Sequence, residues 1–246
     1  MTYNPFVIDG AGRAGRWVVL CDHASNIVPD FVNGGALGVS ANDMARHIAY
    51  DPGTEGVSRA LAEALDGPAV LSRFSRLVID PNRDEDDPTL IMQLYDGTII
   101  PGNRGISDLD TGERLRRCYR PYHSAAQQVL ADRAGPVLVS VHSFTPQLKG
   151  RPPRPWQVGV LYSTDTRLSD PLMARLRAEP DLSVGDNQPY TGHLPGDTIA
   201  RHAIAHGRPN VLIELRNDLI ETEAQQRAWA QRLAPMLVET LAREGL

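Results

Sequence analysis

The feature that most constrains this chain is a set of short, unbroken apolar runs separated by helical patterns. Trp17–Cys21 (WVVLC) and residues 77–79 (LVI), 137–141 (VLVSV), 158–162 (VGVLY) and 211–215 (VLIEL) are rich in β-branched residues and do not alternate apolar with polar. Strands covered on both faces read this way, whereas half-exposed strands alternate. Residues 69–71 add a sixth, shorter candidate. Helical patterns lie between. Residues 57–65 (VSRALAEAL) form one, stopped by Gly67-Pro68. Residues 111–133 form another, opened by a capping box of Asp110 and Glu113 and kinked at Pro121. Residues 171–177 and 198–205 are shorter, and residues 222–243 close the chain with a kink at Pro235. The alternation predicts an α/β fold whose sheet carries helices on both faces.

Composition narrows the function classes. The 246 residues carry a formal net charge of −5 and a sequence pI of about 5.8. A general nucleic-acid binder needs a basic face to neutralise phosphates, so no nucleic-acid partner is expected. The longest apolar runs are far too short to cross a bilayer, so no membrane partner is expected either. The segment MTYNPFVIDG lacks the basic and apolar regions of a signal peptide. Two cysteines, Cys21 and Cys118, make neither a disulfide framework nor a four-thiolate zinc site. A cytoplasmic protein is expected. No internal repeat or linker is visible, and residues 149–155 (KGRPPRP) read as an exposed loop.

The positions of the polar residues carry the chemistry. Four strand candidates run straight into functional groups: Asp22-His23-Ala24-Ser25-Asn26, Asp80-Pro81-Asn82-Arg83, His142-Ser143, and Glu214 followed by Arg216-Asn217-Asp218. In an open α/β sheet, ligands bind beyond the carboxyl ends of the strands. Parallel neighbours would bring two histidines, several carboxylates and two arginines into one crevice. His23 and His142 are too far apart in sequence for a local zinc motif. The local pair His202 and His206 (HAIAH) lacks the glutamate of the HExxH pattern and reads as two histidines on a partly exposed helix face. A catalytic zinc site takes three protein ligands and keeps one position open, which two histidines and one carboxylate would satisfy. A further carboxylate then has to move the proton. Glu214 lies within an apolar strand, where an ionised side chain needs compensation. A buried ion pair with an arginine and a catalytic base are both consistent with that position.

Five segments, CDHASNIVP, SRLVIDPNR, SVHSF, NQPYTG and VLIELRNDLI, resemble in residues and order the N-formylglutamate amidohydrolase family. That family is related in fold to the zinc carboxypeptidases and to aspartoacylase. The resemblance implies a single catalytic domain over residues 1–246, with a mixed, mostly parallel sheet flanked by helices on both faces. It implies a zinc ion on His23 and His142, substrate binding by Asn82 and Arg83, and catalysis by Glu214. In the carboxypeptidases a glutamate three residues after the first histidine is also a ligand; here that position holds Asn26. The formylglutamate amidohydrolases carry an aspartate before the first long helix, and Asp51 matches it. Asp51 is the favoured third ligand, with Asn26 and Glu55 behind it. The implied activity is hydrolysis of an N-acyl, in particular N-formyl, amino acid to a carboxylate and a free amine. N-formylglutamate has two carboxylates, so a second cation is called for, and Arg216 or Arg76 would provide it. Each of these also has a nearby acidic neighbour, Asp218 and Asp80 respectively. Two other readings stand beside this one: a thiol hydrolase built on Cys21 and His23, and a binding protein that keeps the pocket without the metal.

Overall fold

The computed structural model describes residues 3–245. Seven strands form one sheet in the order β1-β3-β2-β6-β9-β7-β8. They are β1 (Phe6–Asp9), β2 (Trp17–Cys21), β3 (Ala69–Ser72), β6 (Val137–Phe144), β7 (Val158–Leu161), β8 (Val184–Asp186) and β9 (Asn210–Arg216). A separate hairpin pairs β4 (Leu94–Tyr95) with β5 (Thr98–Ile99). The four central strands β3, β2, β6 and β9 are parallel. β1 joins β3 antiparallel at one edge, and β7 joins β9 antiparallel before β8 adds in parallel to β7. The expected mixed, mostly parallel sheet is therefore what forms.

Helices α2 (Thr54–Ala64), α5 (Ser169–Arg177) and α7 (Glu223–Arg243) cover one face and share a core cluster with Val19, Val139, Val141 and Ile213. The helix α4 (Arg120–Ala131) covers the other, over Val18, Leu20, Leu138 and Leu212. Two short helices, α1 (Ala41–Met44) and α6 (Thr198–His202), lie in the connections. The continuous apolar character of β2 follows directly: all five residues are buried, because both faces are covered. At the start of α7, Thr222 and Gln225 form a reciprocal capping box.

Two sequence expectations are corrected. Residues 77–79, read as a strand, form a buried turn. The Val78 N–H bonds to the Ser75 carbonyl, and the carbonyls of Leu77 and Val78 accept from Asn103 Nδ2 and Arg114 Nη1. The run is apolar because it is enclosed, but side-chain donors rather than a neighbouring strand satisfy its backbone. The central strand there is Ala69–Ser72. The helix expected over residues 111–133 is interrupted. It opens earlier as α3 (Asp108–Arg114), capped by Ser107, which accepts the Asp110 N–H at 3.1 Å. A π-helical turn, Leu115–Tyr119, then precedes α4, with Pro121 in the first turn of α4. A proline cannot donate to the preceding turn, and the wider turn before it accommodates that loss.

Candidate metal centre and active site

Three neighbouring parallel strands deliver the first side chains. His142 on β6 is the register partner of Glu214 on β9, and Leu20 on β2 faces Ser140 on β6. Side chains alternate across a strand, so His142 and Glu214 point to the face of Leu138 and Leu212. Two residues beyond Leu20, Asp22 reaches His142, with its Oδ2 3.2 Å from Nε2. His23 follows as the chain leaves β2. Asp51 comes from the turn before α2. Its N–H bonds to the His23 carbonyl at 2.9 Å, and its own carbonyl accepts from Thr54 Oγ1 at 2.7 Å. Gly53 makes this turn possible, with φ +83° and a position where a Cβ would meet the Ile220 carbonyl oxygen at 2.2 Å.

Asp51 Oδ2 lies 3.0 Å from His142 Nδ1 and 3.3 Å from His23 Nδ1, and it accepts the Ser143 N–H at 3.2 Å. One ligand atom from each of His23, Asp51 and His142 lies within 4.8 Å of the others. The remaining ring nitrogens are held by carboxylates: His23 Nε2 is 2.7 Å from Asp80 Oδ1, and His142 Nε2 meets Asp22. These contacts aim both Nδ1 atoms at Asp51. Asp22 accepts the Tyr122 hydroxyl at 2.7 Å, and Asp80 is gripped by Arg76 through Nη2 (2.7 Å) and Nε (3.1 Å). A buried set of two imidazole nitrogens and one carboxylate, each imidazole oriented by another carboxylate, suits a divalent metal ion. The cluster can coordinate one.

Electrostatics follow from this packing. Burial alone would lower the His142 pKa, but its hydrogen bonds to Asp22 and Asp51 raise it well above the usual histidine value. Burial works to raise Asp22, yet hydrogen bonding and charge from His142 bring it down to about 2. Glu214 behaves differently. Burial pushes its pKa up to about 7 against the pull of the nearby imidazoles, and its buried Oε2 has no hydrogen-bond partner. Among the described residues it forms no ion pair with an arginine.

The cavity at this end of the sheet has a volume of about 230 Å³. His23, Asp51, His142, Glu214, Asn82 and Arg83 all line it. Asn82 Oδ1 accepts the Thr198 N–H at the start of α6, and Tyr119 OH donates to the Arg83 carbonyl at 2.6 Å. Arg76 also lines the cavity, but its guanidinium is bound to Asp80 and reaches Asp51 Oδ1 at 3.4 Å. Three other candidates lie elsewhere. Arg216, the last residue of β9, donates its Nε to Asp218 Oδ1 at 2.8 Å and does not line the cavity. Asn26 Nδ2 is spent on the Met44 carbonyl, and the exposed Glu55 pairs with Arg59. Cys21 packs in the core beside α2, and burial pushes its thiol up to about 12, which leaves no thiolate nucleophile. His202 and His206 do not share a helix face: α6 ends at His202, which is buried 2.9 Å from His123, while His206 is exposed.

Several cavity residues were assigned no role by the sequence, although two of them lie within the NQPYTG segment. Tyr190 and Thr191 come from a loop pinned by Asn187, whose Oδ1 accepts the N–H groups of Tyr162 and Gly192. Gly159 lies opposite Glu214, and a Cβ there would meet the Gln188 carbonyl oxygen at 2.1 Å. The loop can therefore sit against the sheet. The orienting roles of Asp22 and Asp80 were legible only as acidic residues beside candidate ligands.

Residues 15–221 match the family described as N-formylglutamate amidohydrolase. The chain belongs to this family. Its fold is similar to that of gene product Atu2144 from Agrobacterium tumefaciens, with 33% identity, a TM-score of 0.93 and coverage of 100% of this chain and 98% of that one. N-formylglutamate amidohydrolase from Ralstonia eutropha JMP134 shares the fold at 23% identity and a TM-score of 0.69, over 99% of this chain and 98% of its own. Among curated proteins none matches. No described helix is long and apolar enough to cross a membrane.

Proposed function

We propose that the protein is a zinc-dependent amidohydrolase that cleaves small N-acyl, in particular N-formyl, amino acids in the cytoplasm. One observation carries the reading: Glu214, a buried carboxylate whose Oε2 has no hydrogen-bond partner among the described residues, stands in register beside His142 in the cavity that holds the His23–Asp51–His142 donor set. Family membership supports it, as does the likeness in fold to N-formylglutamate amidohydrolase from Ralstonia eutropha JMP134.

His23, Asp51 and His142 would hold the ion. When bound, it supplies a Lewis acid that polarises the acyl oxygen and acidifies the attacking water. Glu214 takes a proton from that water as oxygen adds to the acyl carbon. It then hands the proton to the amide nitrogen as the C–N bond breaks, so water and amide become carboxylate and amine. Burial raises the pKa of Glu214 to about 7 in the metal-free site and a divalent ion pulls it back toward the ionised form, so the group would start as the base and return the proton as the amine leaves. Asp22 and Asp80 keep the two imidazoles turned toward Asp51. Arg83 holds the substrate carboxylate through its planar fork, with Asn82 beside it.

The test is a chelated protein reloaded with zinc and supplied with N-formyl, N-acetyl and N-carbamoyl amino acids, with free amine as the readout. Turnover should appear on reloading and be highest with an N-formyl compound. Full activity in the chelated protein, or none after reloading, refutes the proposal.

A further inference from the structure

The cavity's charges say which amino acid the acyl group is attached to. A site for N-formylglutamate must compensate two carboxylates, because a buried carboxylate without a partner is strongly disfavoured. The cavity offers one uncommitted guanidinium. Arg83 forms no ion pair among the described residues: its Nε donates to Thr89 Oγ1 and its Nη1 to the Asn82 carbonyl, which leaves Nη2. Arg76 is committed to Asp80 and Asp51, and drawing it onto a substrate would release the carboxylate that orients His23. Arg216 lies outside, on Asp218. Arg154 does not line the cavity; it stacks on Tyr190 and donates to the Thr145 carbonyl. His47 does line it, but it lies 3.5 Å from Asp96, and burial favours its neutral form.

The rest of the lining points the same way. Of the other groups facing the cavity, Asp51, Asp197 and Glu214 offer a second carboxylate no cation, and His23 and His142 are already engaged by Asp51, Asp22 and Asp80. Leu161 and Leu212 are register partners on β7 and β9, and with Leu194, Tyr95 and Tyr190 they make an apolar and aromatic wall. A wall of this kind accepts an apolar side chain and cannot compensate a charge.

We propose that the substrate is monoanionic: an N-formyl amino acid whose α-carboxylate is held by Arg83 and whose side chain is apolar or aromatic, with N-formylglutamate a poor substrate. The inference rests on the amidohydrolase reading above and narrows it.

The experiment compares kcat/KM of the zinc-loaded full chain for N-formyl derivatives of leucine, methionine and phenylalanine against those of glutamate and aspartate. The apolar group should be favoured by about 100-fold or more, the scale on which sites discriminate against groups left unpaired. Equal or faster turnover of N-formylglutamate overturns the inference. A second arm adds a cation to the wall. Leu194→Arg, or Thr191→Arg at an exposed position should the first fail to fold, should raise kcat/KM for N-formylglutamate at least tenfold and lower it for N-formylleucine. Loss on both compounds alike counts against the inference. If no compound is hydrolysed, the amidohydrolase reading fails, and equilibrium binding of the same compounds to the zinc-loaded protein decides this inference separately. Tighter binding of N-formylleucine than of N-formylglutamate upholds it; the reverse order, or no binding of either, overturns it.

Discussion

Replacing Glu214 with glutamine separates catalysis from stability more cleanly than any other change in this site. The side chain is 6% exposed, its Oε2 has no hydrogen-bond partner, and burial raises its pKa to about 7. An unfolded glutamate titrates near 4.5. Below that value both states are protonated and the shift has no effect. As pH rises through the interval to 7, the unfolded state ionises first, and the folded state loses stability relative to it. A difference of roughly two and a half pKa units corresponds to about 3 kcal/mol once pH exceeds 7. Glutamine removes the ionisation. Metal-free Glu214→Gln should therefore be as stable as the parent near pH 4.5 and more stable by up to about 3 kcal/mol above pH 7. A divalent ion nearby favours the ionised carboxylate, so zinc should shrink the gap.

Activity moves the other way. Without a group to take and return the proton, kcat should fall about 10²–10⁴-fold while zinc stoichiometry is unchanged. Urea unfolding at several pH values, zinc analysis and kcat on one preparation test the whole argument. A variant that is destabilised at neutral pH yet fully active would refute it, because that outcome means Glu214 compensates a buried cation and takes no part in proton transfer.

Asp51→Asn should lower zinc stoichiometry, whereas Asn26→Ala should leave it intact and cost about 1 kcal/mol, the value of its one bond to the Met44 carbonyl; equal zinc loss in both would displace Asp51 from the donor set. Arg83→Lys should raise KM at least tenfold with a smaller change in kcat, since a point charge does not reproduce a planar fork; unchanged steady-state kinetics would remove Arg83 from substrate binding. His202 is buried and its pKa is lowered to about 4, so the unfolded state takes up the proton first as pH falls below about 6.5. Its contribution, up to about 3 kcal/mol, should be present above pH 6.5 and lost toward pH 4; the melting temperature of His202→Gln should therefore fall less steeply over that window, and identical slopes would refute the assignment.

The fold class was legible because burial on both faces writes itself into sequence as continuous β-branched runs, as in Trp17–Cys21 and the segments within β6, β7 and β9. The same signal misled at residues 77–79. Burial dictates apolar side chains whether the backbone is extended or turned, and the donors that satisfy this turn, Asn103 and Arg114, lie more than twenty residues away. The polar strand ends named His23, His142 and Glu214, since a buried polar residue stands out against an apolar strand. Asp51 was reachable only through resemblance: it precedes a helix, where an acidic residue is ordinary, and nothing local says that Gly53 folds it back onto His23. The arginines were the least legible. Arg76, Arg83 and Arg216 each follow or flank a strand candidate; the acidic neighbours Asp80 and Asp218 were visible in sequence, but only the structure shows that both pairs form and that Arg83 makes no ion pair among the described residues.

The surplus of acid in this site explains why its parts belong together. Asp22, Asp51, Asp80 and Glu214 gather at one end of the sheet, and Arg76 is the single guanidinium that pairs with any of them among the described residues. Without an ion, the imidazoles must carry the balance, and His142 does so by holding a proton between Asp22 and Asp51. A metal ligand has to be neutral imidazole, so an ion entering this cluster displaces that proton and takes over its work on Asp51. Asp22 and Asp80 stay behind as acceptors for the Nε2 hydrogens, their carboxylates already fixed by Tyr122 and Arg76. The apparatus that aims the nitrogens is thus bonded into the core independently of the ion. Glu214, alone among the four in having a buried oxygen with no hydrogen-bond partner among the described residues, is the one left free to exchange a proton.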